Sequence, residues 1–190
     1  MRRGNMLARK IKKLTNFKWL NLFKINYKNK LGKDTDWMMA SRKEDPSVKS
    51  TQSDAVVIIP FLNNKMVVIK QYRPPIGDYV IEHPAGLIDD GESPLEAAER
   101  ELKEEVGLET KDSFLFSKML YNSPGITDES VSYVISQAFG VPHTQGNESS
   151  EDIEIIIVDK LEAKKLLESN EKFSAKCWLI LTTYANGELN

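Results

Sequence analysis

The segment GLIDDGESPLEAAERELKEEVGL, residues 86–108, decides the fold. Its second half reads as a helix. Ser93 is a favourable N-cap, and Pro94 sits at the first helical position, where its missing N–H costs nothing. Glu96, three residues after the cap, completes a capping box. Gly107 closes the helix as a left-handed cap residue would. The spacing predicts a helix over 93–106. At ~100° per residue, Leu95, Ala98, Leu102 and Val106 fall on one narrow face, the expected core face. Glu101 and Glu105 lie one turn apart with Glu104 beside them, and like charges at that spacing repel. A solvated acidic face is the plain explanation for such a cluster. Its place beside the core stripe suits a hard divalent cation better. Mg²⁺ accepts carboxylate oxygens together with substrate phosphate oxygens.

Outward from the helix, the chain alternates apolar runs with turn signals. Residues 55–61 read as a buried strand, 63–65 as a turn, and 66–71 as the partner strand. Pro74 and Pro75 interrupt, and 79–82 resumes the pattern. Residues 118–121, 131–139 and 153–158 read as further strands, with a polar loop over 140–152. Helices are expected over 159–168 and 174–185. Strands in the middle, interrupted and followed by helices, argue for α/β layers around a mixed sheet. Upstream, the alternation of Ile25 and Tyr27 with polar neighbours suggests a strand within 17–31. A turn follows at 33–35, a short strand at 37–42, and a polar loop at 44–53.

Charge divides the 190 residues unevenly. Eleven of the 26 Lys and Arg fall in residues 1–33, which contain no acid, and all 28 acids follow. Residues 1–16 read as a flexible basic tail. Their lack of acids is shared with mitochondrial presequences, though they are poor in Ser and only weakly amphipathic. An apolar secretory core is absent, and no apolar run approaches the ~20 residues of a membrane span. Cys177 is the only cysteine, which rules out an intrachain disulfide and a cysteine zinc cluster. A reducing compartment follows, with the cytoplasm as the expected location. Nucleic-acid binding through the basic tail would need strong salt dependence and is not the expected function.

From Gly86 the chain carries five residues, Glu92, seven residues, then Arg100-Glu101-Leu102-Lys103-Glu104-Glu105-Val106-Gly107-Leu108. This matches every fixed position of the Nudix box and resembles the Nudix hydrolases. The resemblance implies an α/β/α sandwich that hydrolyses nucleoside diphosphates linked to another group, with Mg²⁺ or Mn²⁺ as cofactor. It implies Glu101 and Glu105 as principal metal ligands. Glu104 would be a ligand or water-orienting neighbour, and the Ala85 carbonyl a further ligand. Arg100 and Glu92 would form an ion pair holding the loop on the helix. Gly86 would allow close backbone approach to the metal.

Segments outside the box resemble the ADP-ribose and ADP-sugar pyrophosphatase subgroup. They are residues 71–75, residues 82–86, and the stretch 123–129 with Pro124 sixteen residues past Leu108. The subgroup implies a dimer with exchanged N-terminal segments, placing 17–53 as a dimerisation and substrate segment and 54–190 as the hydrolase domain. Trp19 and Trp37 match a pair that would sandwich adenine across the dimer; packing in an N-terminal sheet is the alternative. Arg42 and Arg73 become candidates for phosphate or ribose oxygens, which a guanidinium binds as a planar fork. The general base would be a glutamate on the late polar loop. Glu151 aligns best, with Glu148 and Glu154 as alternatives. A loop glutamate would reach the attacking water after loop closure. His83 reads as a strand residue rather than a catalyst. The expected reaction converts ADP-ribose to AMP and ribose 5-phosphate. Alternatives are another nucleotide substrate, such as GDP-mannose or an oxidised nucleotide, and a non-catalytic nucleotide-binding module.

Overall fold

The computed structural model describes residues 10–147, 149 and 151–189. The chain separates into two compact units. One comprises 1–54 with 119–131, and the other 55–118 with 132–190.

The first unit is built on a three-stranded antiparallel sheet of β1 (Lys10–Lys13), β2 (Asn21–Lys28) and β3 (Asp34–Ser41). Phe23, Ile25 and Met39 form its buried core, and Ile11 packs against them. Strand β1 lies inside the stretch that the sequence reads as a flexible tail. Ile11 is paired with Ile25, and Lys13 forms an ion pair with Glu44 at 2.6 Å. A single apolar residue between lysines carries too little pattern to reveal a strand; pairing with β2 supplies it. Residues 1–9 of that tail lie outside the described residues.

The turn after β2 falls earlier than 33–35. The Asn29 side-chain oxygen accepts from the N–H groups of Leu31 and Lys33, so β3 can begin at Asp34. The unit also includes the loop 123–129. The Ala40 N–H donates to the Ile126 carbonyl at 2.8 Å, and Lys43 bridges Asp54 and Asp128. The first stretch of this unit thus ends at Asp54, and the unit takes in the returning segment as well.

The larger sheet has eight strands. Its path runs β11 (Ile153–Val158), β5 (Lys65–Arg73), β4 (Ala55–Leu62), β10 (Ser130–Phe139) and β8 (Glu109–Leu115). Strand β6 (Asp78–Glu82) adds to β5, β7 (Ala85–Leu87) to β4, and β9 (Leu120–Tyr121) to β10. Strand β8 is absent from the sequence reading. Its residues are mostly exposed and polar, so no alternation marks it; β10 supplies the partner.

Side-chain alternation splits the core of this unit into two layers. On one face Val56, Ile58, Val67 and Ile69 pack with Ala98, Leu102 and Val106 of α1 (Pro94–Val106). On the other, Ile59, Phe61, Met66 and Val68 pack with Ala163 of α2 (Lys160–Leu167) and with Cys177, Leu181 and Tyr184 of α3 (Ala175–Ala185). The result is the expected α/β/α sandwich with a mixed sheet. Helix α1 has the predicted ends: the Ser93 capping box and Gly107 at φ 70°. Its core face is shifted. Leu95 is 36% exposed, and Ala97 is fully buried in the layer instead. Ala97 lies in the same turn as Leu95, and the layer covers the alanine rather than the leucine. Among the described residues, no helix is long and apolar enough to cross a membrane.

Candidate active site

The turn from β7 into α1 is tied by Arg100. Its Nε donates to Glu92 Oε1 and its Nη2 to Glu92 Oε2, both at 2.9 Å. This bidentate pair is the expected ion pair, and Nη2 also donates to the Leu87 carbonyl at 2.9 Å. The Arg100 guanidinium holds the Glu92 carboxyl below its usual pKa. Two further contacts were not foreseen. Arg100 Nη1 donates to Glu101 Oε1 at 2.7 Å and to Glu104 Oε2 at 3.0 Å. The i to i+4 spacing of Arg100 and Glu104 was a visible signal for the second.

Glu105 is only 2% exposed, and it accepts the Ala85 N–H at 3.0 Å. Burial pushes its pKa up to about 8, the Ala85 N–H opposes that, and the charges of Glu101 and Glu151 add to it. Burial also raises Glu101; Arg100 counters this, while Glu104 and Glu151 reinforce it. Two neighbouring carboxyls are thus held where ionisation is unfavourable. Their oxygens are hard donors, and a divalent cation would reverse the balance, so the residues fit the metal that the box implies. Among the described residues, no three acidic side chains already converge as a cage. Arg100 occupies Glu101 and Glu104, and Glu105 faces an amide. The Ala85 contact is made by its N–H. A Cβ built on Gly86 would sit 1.9 Å from the Glu101 carboxyl carbon, so only glycine leaves that carboxylate its place.

Arg73, at the end of β5, forms an ion pair with Glu82 and lies near enough to Glu105 to lower its pKa. The loop after β10 folds back on the end of α1. His143 N–H donates to the Val106 carbonyl at 2.9 Å. With its nitrogen turned to the helix, the Asn147 amide donates to the carbonyls of Glu104 and Glu105 at 3.0 and 3.1 Å. These are helix-end carbonyls that no intrahelical N–H reaches. Gly146 lies so close to Glu104 that a Cβ would come within 2.7 Å of its carbonyl oxygen. None of these three residues stood out in the sequence.

The loop glutamates separate by parity. Ile153, Ile155 and Ile157 pack on the α1 layer, whereas Ile156 packs on the α2–α3 layer. Continued upstream, this alternation gives Glu151 the α1 side and Glu154 the opposite side, where its charge acts on Lys70 and Tyr79. Glu148 lies outside the described residues. His83 is buried, and burial pushes its imidazole down to about 4.

The remaining candidates belong to the first unit. Trp37 Nε1 donates to the Gly125 carbonyl at 2.9 Å. With Tyr27, Met39, Lys43, Tyr121 and Ile126, Trp37 lines a cavity of about 500 Å³. Trp19 is outside that lining; it is 66% exposed, with Lys18 Nζ 4.2 Å from its ring centre. Arg42 pairs with Glu129 at 3.4 Å.

The same architecture is found in a crystal structure of an ADP compounds hydrolase. It aligns with a TM-score of 0.75 over 97% of this chain and 98% of that one, at 21% identity. That likeness shows the fold, an α/β/α sandwich. The NUDIX domain model matches residues 51–177, and the chain belongs to that family. A nudix hydrolase of Caenorhabditis elegans is 33% identical over 181 residues, covering 90% of this chain and 80% of its own length. The ADP-ribose pyrophosphatase of Saccharomyces cerevisiae is 38% identical over 139 residues, 67% of this chain. The ADP-sugar pyrophosphatase of Mus musculus is 41% identical over 95 residues, 47% of this chain. The aligned parts span 56% and 42% of those two proteins.

Proposed function

We propose that the protein hydrolyses the pyrophosphate of ADP-ribose and related ADP-sugars to AMP and a sugar phosphate, using Mg²⁺ or Mn²⁺. The observation that carries this reading is the pair of mutually repelling carboxyls on α1, the buried Glu105 and the partly buried Glu101, with Glu151 on the same side of the sheet. Relatives named for ADP-ribose and ADP-sugar hydrolysis support the substrate class.

Glu101, Glu104 and Glu105 would hold the metal. A divalent ion bound there offsets charge on pyrophosphate oxygens and makes water a better nucleophile near neutral pH. Glu151 would accept the proton as water attacks the adenosyl phosphorus. One P–O bond forms, the bridging P–O bond breaks, and the sugar phosphate leaves with the bridging oxygen. Arg73 suits the phosphates through its planar fork. Arg100 and Glu92 keep the loop on the helix. Trp19 and Trp37 would clamp adenine in a homodimer with exchanged N-terminal segments, and Arg42 would bind phosphate or ribose oxygens.

Product analysis with ADP-ribose, ADP-sugars and GDP-mannose in Mg²⁺ tests the reading. AMP and ribose 5-phosphate from ADP-ribose are expected, and a clear preference for GDP-mannose would overturn it. Hydrolysis in ¹⁸O-labelled water should place the label in AMP.

A further inference from the structure

Three strands set residues side by side at the edge where Glu151 leaves the sheet. Tyr79 of β6 is paired with Tyr72 of β5. On the other side of β5, β11 pairs Ile153 with Gln71. The Tyr72 N–H then donates to the Asp152 carbonyl at 3.1 Å, extending that ladder one residue upstream. Tyr79, Tyr72 and Asp152 therefore stand in a row on the α2–α3 side of the sheet. The Tyr79 hydroxyl reaches past the Tyr72 ring and donates to the Asp152 carboxylate. The two rings meet edge to face with centroids 5.5 Å apart, which steers the phenol along that row.

Alternation turns Asp152 to one side and Glu151 to the other. Gripping Asp152 by its carbonyl and its carboxylate therefore fixes the direction in which Glu151 points. The other end of the same loop is held by Asn147 on the Glu104 and Glu105 carbonyls. Glu151 thus lies between two anchors, one on the helix that carries the candidate metal ligands and one on the sheet.

We propose that Tyr79 and Asp152 form a latch that positions Glu151 over the α1 glutamates before substrate arrives. The proposal rests on Glu151 being the general base. It replaces delivery of that base by a freely moving loop with a base held ready by a hydrogen bond to a charged acceptor, the stronger kind. Tyr79 and Asp152 are positioning residues and touch no substrate.

Three variants test the latch. Tyr79→Phe keeps the ring and removes the donor. Asp152→Ala removes the acceptor, and Asp152→Asn keeps an oxygen for the phenol. Tyr79→Phe and Asp152→Ala should lower kcat about tenfold, the scale of one lost charge-assisted bond, with KM within about twofold. Asp152→Asn should recover most of kcat. In the metal-free protein, hydrogen exchange of the Tyr72 amide should quicken in Tyr79→Phe and Asp152→Ala and stay slow in Asp152→Asn. In a Glu151→Gln background, Tyr79→Phe should cost nothing more. Equal factors in both backgrounds, or unchanged Tyr72 exchange, would overturn the latch alone. Full turnover in Glu151→Gln would remove the base itself, and the proposal with it.

Discussion

At the scale of single residues, Glu105 links stability to pH. Its folded pKa of about 8 lies above the ordinary 4.5. A carboxyl raised in this way contributes fully below the unfolded value. That contribution is lost as pH rises, because only the unfolded chain ionises freely between the two values. The metal-free protein should therefore lose stability from about pH 4.5 to about pH 8. Glu105→Gln should flatten this slope and abolish turnover, with thermal unfolding in chelator as the measurement. Gly86 makes a separate prediction. The atom a Cβ would strike is the end of a flexible side chain, so Gly86→Ala should displace the Glu101 carboxylate and leave the fold standing. We expect turnover to fall by about 10²-fold or more, the scale of a misplaced catalytic group, while the unfolding midpoint hardly moves. A proportional loss of both would contradict this account.

At the scale of elements, α1 and β11 carry different kinds of information. The α1 capping box binds the Glu96 N–H to Ser93, and Ser93→Ala should cost about 1 kcal/mol in denaturant unfolding. That helix was legible because its caps, charges and apolar stripe are all local. Its core face differs at Leu95 because helical spacing sets which residues share a face, while the rest of the chain decides which of them are covered. Strand β11 was legible as an apolar run, but a run of isoleucines does not say which side each residue faces. Only its register on β5 separates Glu151 from Glu154. Glu151→Gln should lower kcat by about 10²- to 10⁴-fold, the usual share of a general base, and Glu154→Gln should leave it within about twofold. The reverse order would move the base to the other side of the sheet.

At the scale of the whole molecule, the N-terminal unit is where sequence and structure differ most. The sequence reading starts the folded segment at residue 17, after a flexible tail. The structure moves that start earlier, since β1 pairs with β2 and brings Ile11 onto the small core of Phe23, Ile25 and Met39. Removing residues 1–15 should therefore strip the edge of β2 and lower the unfolding temperature. Removing residues 1–33 should also raise KM for ADP-ribose and dissociate the proposed dimer. Sedimentation and steady-state kinetics on both truncations check this; a fully active monomer lacking residues 1–33 would rule out the adenine clamp.

The sequence by itself determined helix α1, its caps and its three glutamates, because each lies within a few turns of chain where spacing fixes geometry; the Glu92–Arg100 pair followed from the resemblance to the Nudix box. Apolar runs and turn signals also marked most strands of the mixed sheet. Tertiary structure alone decided which loop glutamate faces α1, that β1 and β8 are strands, and that Arg100 holds Glu101 and Glu104 as well as Glu92. It also decided that Tyr79 and Asp152 meet across β5. Strand neighbours are chosen by hydrogen-bond partners distant in sequence, and burial by what the rest of the chain brings to cover a face. Neither leaves a local trace in composition or period.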